Sequence, residues 1–455
     1  MKLSKKSLNF LIISIYMIVL LLNPGDYFKF SIIDTIRRFL VVILPIIFIV
    51  TTLFDNRKNI KCLLEHKYIF AIYILTILWL LLTFLFGINR GIESLKGLIH
   101  FSTLLTFIFI LFNINYDSDE KNIIKKHLFI SFFISVIIGI IQYVFQINLN
   151  TYNNDKYPGI LGRINSTYFI ATLFDKYIVM MFPLITYELL NDKDNKWYKI
   201  LLIASMLGIT FTFSRSGQLI YFVMSFIFFI ITLFKKQFKN SILMVLIIIC
   251  MILIPGEKYV MQSAFDYAYE TFHIPTKLQL NVVKLLGGYE EVKEVEPGIC
   301  PDGDCVGDLE GSKFFRDYYK SVGMQLLKEH PVFGVGVGNY SYLYLNQNAK
   351  DYLKDDSIIS DDYPYMYPHC GYVQLMAETG YVGFILIITF LLSIVISKFK
   401  NLENKLDIYP IFILLFAFLI SNITECLFHS KQYIYIFAII FVLFAENKRK
   451  KQPIK

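Results

Sequence analysis

Long apolar runs alternate with short polar stretches along most of this chain. Twelve of the runs are long enough to cross, or nearly cross, a hydrocarbon core about 30 Å thick, for which a helix needs roughly 20 residues. They lie at 8–22, 38–54, 68–87, 97–112, 126–147, 168–190, 198–213, 217–234, 241–255, 371–396, 408–424 and 431–445. The pattern predicts an all-α polytopic membrane protein with about twelve transmembrane helices.

One polar stretch is far longer than the others and divides the chain into three parts. Residues 1–255 hold the first nine runs, 256–370 form a large loop, and 371–455 hold the last three runs and a basic tail. Within the loop, apolar residues recur at helical spacing from Phe314 to Glu329. This predicts an amphipathic helix that lies on the membrane surface or caps the cavity of the bundle.

Composition and charge support this interpretation. Apolar residues make up 56% of the 455 positions and charged residues only 18%, which excludes a soluble globular protein. If the N-terminus is cytoplasmic, the cytoplasmic segments hold 24 Lys and Arg, far more than the short outer segments. The positive-inside rule therefore predicts that both termini are cytoplasmic and that the loop 256–370 is extracytoplasmic.

The net charge and the first apolar run are both explained by a multi-pass membrane protein. The charge of +8 follows from the same positive-inside bias, and no basic block indicates a nucleic-acid partner. The loop 256–370 is itself acidic, with 18 Asp and Glu against 10 Lys and Arg. No small-residue cleavage site follows the run 8–22, so we expect it to be a retained helix rather than a signal peptide.

Two of the six cysteines lie in the middle of the loop, away from any apolar run. Cys300 and Cys305 bracket a short Pro-Asp-Gly-Asp stretch. A local disulfide and two free thiols are both compatible with this spacing in an extracytoplasmic segment. The other four cysteines lie in or beside apolar runs, where we expect them to pack as small hydrophobic residues.

Arginines stand at three points where the predicted outer loops meet helices. Arg215 lies in the turn 214–217, which is too short to be a free loop, and its planar guanidinium suits phosphate oxygens. Arg163 precedes the sixth run and Arg316 lies on the predicted amphipathic helix. For each of them a structural role remains open: a helix cap for Arg215, a headgroup anchor for Arg163 and a solvated face for Arg316.

His369 is the candidate base. It stands where the loop returns to the tenth apolar run, at a water–membrane boundary where an imidazole can exchange protons near neutral pH. A purely structural histidine is the alternative.

Other polar residues are less informative. Asp175 and Lys176 are adjacent inside the sixth run, so we expect them to point in different directions and to need separate partners, either on neighbouring helices or in substrate. The glycines at 334, 336 and 338 lack the strand, helix and lysine of a nucleotide loop. Asp302-Gly-Asp304 is more typical of a turn than of a metal site, so we predict neither a metal nor a cofactor.

Three segments together resemble the O-antigen ligase/polymerase family. They are Phe213-Ser-Arg-Ser-Gly217, the turn that begins His330-Pro-Val-Phe-Gly334, and His369 with the Gly-Tyr-Val-Gln-Leu-Met-Ala-Glu-Thr-Gly run that follows. The resemblance covers roughly residues 150 to 400. It departs from the family after His369, where Cys370 replaces the usual asparagine.

The resemblance implies a membrane-embedded glycosyltransferase of the GT-C-like type in the bacterial cytoplasmic membrane. Such an enzyme moves a glycan from a polyprenyl diphosphate carrier to an acceptor glycan or lipid core at the outer face of the membrane, without a metal. The resemblance implies that Arg163, Arg215 and Arg316 bind the donor. It also implies that Arg215 and His369 are catalytic, with His369 as the base. The sequence leaves open whether the enzyme is a polymerase, a ligase or a transferase to protein or wall polymer, and which sugar it moves.

Two other classes of protein also fit twelve spans. A polysaccharide flippase or transporter would be expected to show repeated halves with discontinuous helices, which this sequence lacks. A non-catalytic assembly scaffold would need neither the histidine nor the arginines at one face.

Overall fold

The computed structural model describes residues 40, 43–50, 66–113, 118–145, 164, 166, 171–212, 214–251, 309–346, 367–400 and 408–444. Within this part the chain forms helices and turns and no strand. A short helical stretch at 43–50 comes before twelve longer or better-bounded helices. They are α1 Lys67–Phe86, α2 Ile92–Asn113, α3 Ser118–Phe145, α4 Ala171–Asn191, α5 Lys196–Phe211, α6 Arg215–Phe234, α7 Phe238–Met251, α8 Leu309–Glu329, α9 Asn339–Asn346, α10 Gly371–Lys400, α11 Ile408–Thr424 and α12 Lys431–Phe444.

The helices confirm the all-α multi-pass membrane fold. Predicted spans from 68–87 to 241–255 correspond to α1–α7, and the last three correspond to α10–α12. The run 8–22 lies outside the described residues, and 38–54 is described only in part. Apolar runs become helices because a helix satisfies its own backbone hydrogen bonds in lipid. Five described helices are long and apolar enough to cross a membrane: α1, α2, α3, α6 and α10.

Large apolar side chains cover the outside of these helices. On α1, Leu75 and Leu78 are about half exposed while Leu80 is buried. On α10, Ile385 and Leu392 are exposed while Phe390 is buried. An apolar exterior of this extent is unfavourable in water but matches hydrocarbon, so these faces contact lipid.

α4 is the central helix of the bundle. Its residues from Phe174 to Ile185 are buried almost without exception. It packs against α5, α6, α11 and α12, while α1 packs against α2 and α10. Any polar group on α4 is therefore inside the protein rather than in lipid.

The predicted amphipathic helix is confirmed as α8, which begins five residues earlier than expected. It packs against the start of α10, where a side chain on Gly323 would lie 2.6 Å from Val373. Buried Val322 and Leu326 form a second small core with Tyr340 of α9 and with the turn before it. The sequence did not predict α9.

The turn between α8 and α9 is pressed onto transmembrane helices. Its glycines at 334, 336 and 338 all have positive φ, a conformation that residues with a side chain rarely adopt. A side chain on Gly336 would lie 2.7 Å from the Cα of Gly87, and one on Gly338 would lie 2.9 Å from the Cα of Gly97. The glycines therefore allow backbone-to-backbone contact with α1 and α2.

The same turn also packs against a kink in α10. Gly380 has φ 68°, and the N–H of Tyr381 donates to the carbonyl of Pro331 at 2.9 Å. The indole N–H of Trp79 on α1 donates to the carbonyl of Thr379 at 3.0 Å. The kink thus joins α1, α10 and the turn after α8.

Candidate functional site

His369 stands directly before α10 in an unusual backbone conformation. Its φ is 46°, in the left-handed region, which costs a residue with a side chain about 1–3 kcal/mol. The ring is 30% exposed, and Nδ1 lies 4.0 Å from Oε2 of Glu425, which is 9% exposed. This distance is longer than a hydrogen bond, but it allows an ion pair when the ring is protonated.

The turn 425–430 between α11 and α12 holds Glu425 in place. The carbonyl of Glu425 accepts a hydrogen bond from the N–H of Gly371 at 3.1 Å. Within the turn, the side-chain carbonyl of Asn422 accepts from the N–H of Phe428, also at 3.1 Å. Gly371 has no room for a side chain, because a Cβ there would collide with Asn422. The start of α10 and the turn therefore pack directly against each other.

α8 covers the other side of His369. The buried ring of Tyr319 lies 6.2 Å from the His369 ring, centroid to centroid. Arg316 is half-buried and precedes Tyr319 by three residues, so the two share one face of α8. The structure thus brings Arg316 within one helical turn of a residue that neighbours the candidate base.

Asp175 and Lys176 form a pair inside the bundle. Both side chains are fully buried, with Lys176 Nζ 3.1 Å from Oδ1 of Asp175. Lys176 also donates to the hydroxyl of Ser216 at 2.8 Å. The prediction that the two point apart and need separate partners is wrong. The long lysine side chain reaches back to its neighbour, and both face the start of α6.

The start of α6 is packed against this pair. α6 begins at Arg215, two residues before the predicted run 217–234, with Ser214 as its N-cap residue in an extended conformation. A side chain on Gly217 would lie 2.5 Å from the carboxyl carbon of Asp175. The backbone of Arg215 therefore lies at a helix N-terminus next to a buried carboxylate and a buried ammonium group. The Arg215 side chain lies outside the described residues.

The His369–Glu425 contact and the Asp175–Lys176 pair lie at the same end of the bundle. The carboxylates of Asp175 and Glu425 are close enough for their charges to interact. The hydroxyl of Tyr433 on α12 donates to the carbonyl of Leu173 at 2.7 Å, which joins the region after Glu425 to α4. We call this end, with His369, Glu425, the Asp175–Lys176 pair and the start of α6, the site end.

Arg163 lies outside the described residues, but its neighbour is placed. The N–H of Ile164 donates to the carbonyl of Phe211 at the end of α5, at 3.1 Å. Phe211 precedes Ser214 by three residues, so this part of the chain lies beside the start of α6.

A second carboxylate–histidine pair lies deeper and was missed by the sequence analysis. Glu378 is 1% exposed, and its Oε2 lies 3.1 Å from Nε2 of His429. The same oxygen accepts a hydrogen bond from the N–H of Gly338 at 3.2 Å. A glutamate inside an apolar run is the signal that could have pointed to such a pair. Nothing in the local sequence around His429 indicates its partner.

Comparison with known proteins gives a match between part of this chain and a family model. The family model described as O-antigen ligase matches residues 200–388, less than half of the chain. The matched segment includes Arg215, Arg316 and His369 and ends before Glu425. A search of curated proteins gives no significant match. The family match, the order of the motifs and the all-helical multi-pass fold together make this chain similar to the O-antigen ligase family of polytopic membrane proteins over residues 200–388.

Proposed function

We propose that the protein joins a glycan carried on a polyprenyl diphosphate to an acceptor glycan or lipid core. The reaction takes place at the outer face of the bacterial cytoplasmic membrane and needs no metal. The observation that carries this proposal is the position of His369, next to Glu425 and at the same end of the bundle as the helix start at Arg215.

His369 is the base in the proposed reaction. An acceptor hydroxyl attacks the anomeric carbon of the donor while its proton passes to the imidazole, since a free hydroxyl is a weak nucleophile. The new glycosidic bond forms as the bond from the anomeric carbon to the diphosphate oxygen breaks. Glu425, 4.0 Å from Nδ1, stabilises the imidazolium that results.

Cationic groups hold the diphosphate in this proposal. The N-terminus of α6 carries a partial positive charge, and Arg215, the first residue of α6, has a side chain with a full positive charge. Arg163 and Arg316 provide further positive charge that attracts the diphosphate of the donor. These charges stabilise the diphosphate as it leaves, which is the role that a metal has in other glycosyl transfers.

The Asp175–Lys176 pair supports the start of α6 rather than the substrate. Lys176 is fully buried and uses its ammonium group on Asp175 and on the hydroxyl of Ser216. This contact fixes the residue after Arg215. The pair therefore fixes the position of the first turn of α6, which begins at Arg215.

The test is transfer by the purified protein in a lipid nanodisc. A lipid-linked oligosaccharide and an acceptor glycan are supplied, and the joined product is measured by mass spectrometry. We expect product from the wild type, also in the presence of a chelator, and loss of product from His369→Ala. A histidine of α3, His127, provides the matched control, because His127→Ala leaves the site end unchanged.

Two results would contradict this function. Movement of labelled donor across the membrane without a new glycosidic bond would indicate a transporter. Donor binding without product under every acceptor tested would indicate a scaffold.

A further inference from the structure

The buried Glu378–His429 pair lies outside the reacting groups described above. Glu378 is on α10, two helical turns after Gly371, and His429 is on the turn 425–430. Oε2 of Glu378 contacts both Nε2 of His429 at 3.1 Å and the N–H of Gly338 at 3.2 Å. The N–H of Gly338 is the donor in the second contact, and in the first the donor depends on the tautomer of His429.

α10 holds the turn 425–430 at two points. At the first, the N–H of Gly371 donates to the carbonyl of Glu425 at 3.1 Å. At the second, the carboxylate of Glu378 holds the ring of His429. The two points are seven residues apart on α10, about 10 Å along a helix axis. One contact alone would leave the turn able to pivot, whereas two contacts fix its orientation.

Other contacts leave His429 little freedom. The edge of its ring meets Phe101 of α2 at 5.0 Å between centroids. Its backbone N–H donates to the carbonyl of Cys426 at 3.1 Å. A shift of the His429 ring would therefore be transmitted through the three intervening residues to Glu425, whose carboxylate lies 4.0 Å from the ring of His369.

We propose that Glu378 and His429 are positioning residues, whose contact fixes the turn 425–430 and thereby sets the distance between Glu425 and His369. This inference rests on the proposed function, because the effect appears in the transfer step. It assigns a task to two buried polar groups that touch no reacting atom. Gly338 belongs to the same contact, so the turn after α8 is tied to the catalytic geometry as well.

The first measurement is the transfer rate of His429→Ala. A displacement of about 1 Å at a catalytic group typically costs on the order of 10²-fold in rate, so we expect kcat to fall by about this factor. We expect KM for the lipid-linked donor to stay unchanged, since the donor is held by the arginines. His429→Gln retains an amide N–H that can reach Glu378 and should recover most of kcat.

The second measurement tests whether the pair acts through Glu425. Glu425→Gln alone should lower kcat, and adding His429→Ala to it should lower kcat little further, because both changes remove the same effect. Fully multiplicative losses would mean that His429 acts independently of Glu425 and would overturn the proposal.

The third measurement follows the turn without any substrate. Cys426 lies in the turn and is free and partly buried. In a variant with Cys426 as its only cysteine, His429→Ala should raise the rate of maleimide labelling at Cys426. If this variant does not fold, Glu378→Gln and His429→Gln provide milder changes for the same readout.

Glu188→Gln is the matched control. Glu188 forms a partly buried ion pair with Lys125 at 2.8 Å, between α3 and α4. This variant should change neither kcat nor the labelling of Cys426. Faster labelling with unchanged kcat in His429→Ala, or lower kcat with unchanged labelling, would each refute the positioning role. A wild type that makes no product would instead refute the proposed function, while the labelling would still show whether the pair holds the turn.

Discussion

His369, the proposed base, has a strained backbone conformation. Its left-handed backbone conformation is unfavourable by itself, and it persists because Gly371 is bonded to Glu425 and α8 packs beside the ring. In this conformation, Nδ1 of the imidazole lies 4.0 Å from Oε2 of Glu425 in the turn 425–430. The strain at His369 therefore accompanies its contact with Glu425.

Removal of the imidazole should stop transfer while donor binding continues. Loss of a general base typically lowers the rate by about 10²–10⁴-fold, so His369→Ala should lose about that factor in kcat. His369→Gly removes the ring and also relieves the left-handed strain, so it should be at least as stable as the alanine variant and equally slow.

The outcome against this assignment is specific. If purified His369→Gly transfers glycan at the wild-type rate, the histidine is structural. The base would then have to be sought among Asp175, Glu378 and Glu425.

Arg215 should depend on its geometry as well as on its charge. Arg215→Ala should abolish transfer, and Arg215→Lys should restore little, because a lysine cannot form the paired hydrogen bonds of a guanidinium with phosphate oxygens. Transfer and donor affinity are measured together in nanodiscs. Full activity of the lysine variant would reduce Arg215 to a general positive charge.

The buried Asp175–Lys176 pair should be more sensitive to the loss of one partner than of both. Asp175→Asn leaves the ammonium group of Lys176 buried without its counter-charge, and breaking such a pair typically costs about 3–5 kcal/mol. The double variant Asp175→Leu with Lys176→Met removes both charges and should recover much of that stability. Thermal unfolding in detergent measures the difference. A single variant as stable as the wild type would show that the pair contributes nothing to the position of α6.

At the level of elements, the glycine turn after α8 acts as a wedge between helices. It contacts α1 through Gly336, α2 through Gly338 and the kink of α10 through Gly334. The carbonyl of Val337 also accepts a hydrogen bond from the hydroxyl of Ser94 at 2.8 Å. The turn therefore contributes mainly its backbone groups to the contacts that join these helices.

Gly336→Ala should destabilise the whole protein. The left-handed conformation alone costs a residue with a side chain about 1–2 kcal/mol, and the new methyl group would press on the Cα of Gly87. The yield of folded protein and its unfolding temperature should both fall. Gly91→Ala is the control, since only the side chain of Asn89 comes near that position. Equal stability of the two variants would contradict the wedge.

At the level of the whole molecule, the charge pattern and the site end predict one orientation. α6 begins at Arg215 in the site end and runs for 20 residues, about 30 Å. The basic residues after it, including Lys236, therefore lie at the opposite end of the bundle. The positive-inside rule predicts that this end is cytoplasmic and that the site end is extracytoplasmic.

Labelling in intact cells tests this orientation. An impermeant thiol reagent should reach a cysteine engineered at Lys293, in the long loop, and should not reach one engineered at Lys236. Permeabilised cells provide the control, in which both positions should react. The reverse pattern in intact cells would overturn the orientation and, with it, the outer-face location of the reaction.

The sequence by itself determined the helices of this protein. Runs of Leu, Ile and Phe are stable in lipid only as helices, so their positions predicted α1–α7 and α10–α12. Apolar spacing likewise predicted most of α8. These are local properties, because each depends on neighbours within a few turns.

Only the tertiary structure decided which polar groups meet. Glu425 lies 56 positions from His369 and His429 lies 51 positions from Glu378, and no local pattern connects either pair. Their contacts depend on how helices rotate and how closely they approach, which small residues such as Gly371 permit. The pairing of Asp175 with Lys176 likewise depends on packing. Both side chains contact the start of α6, Asp175 at Gly217 and Lys176 at Ser216.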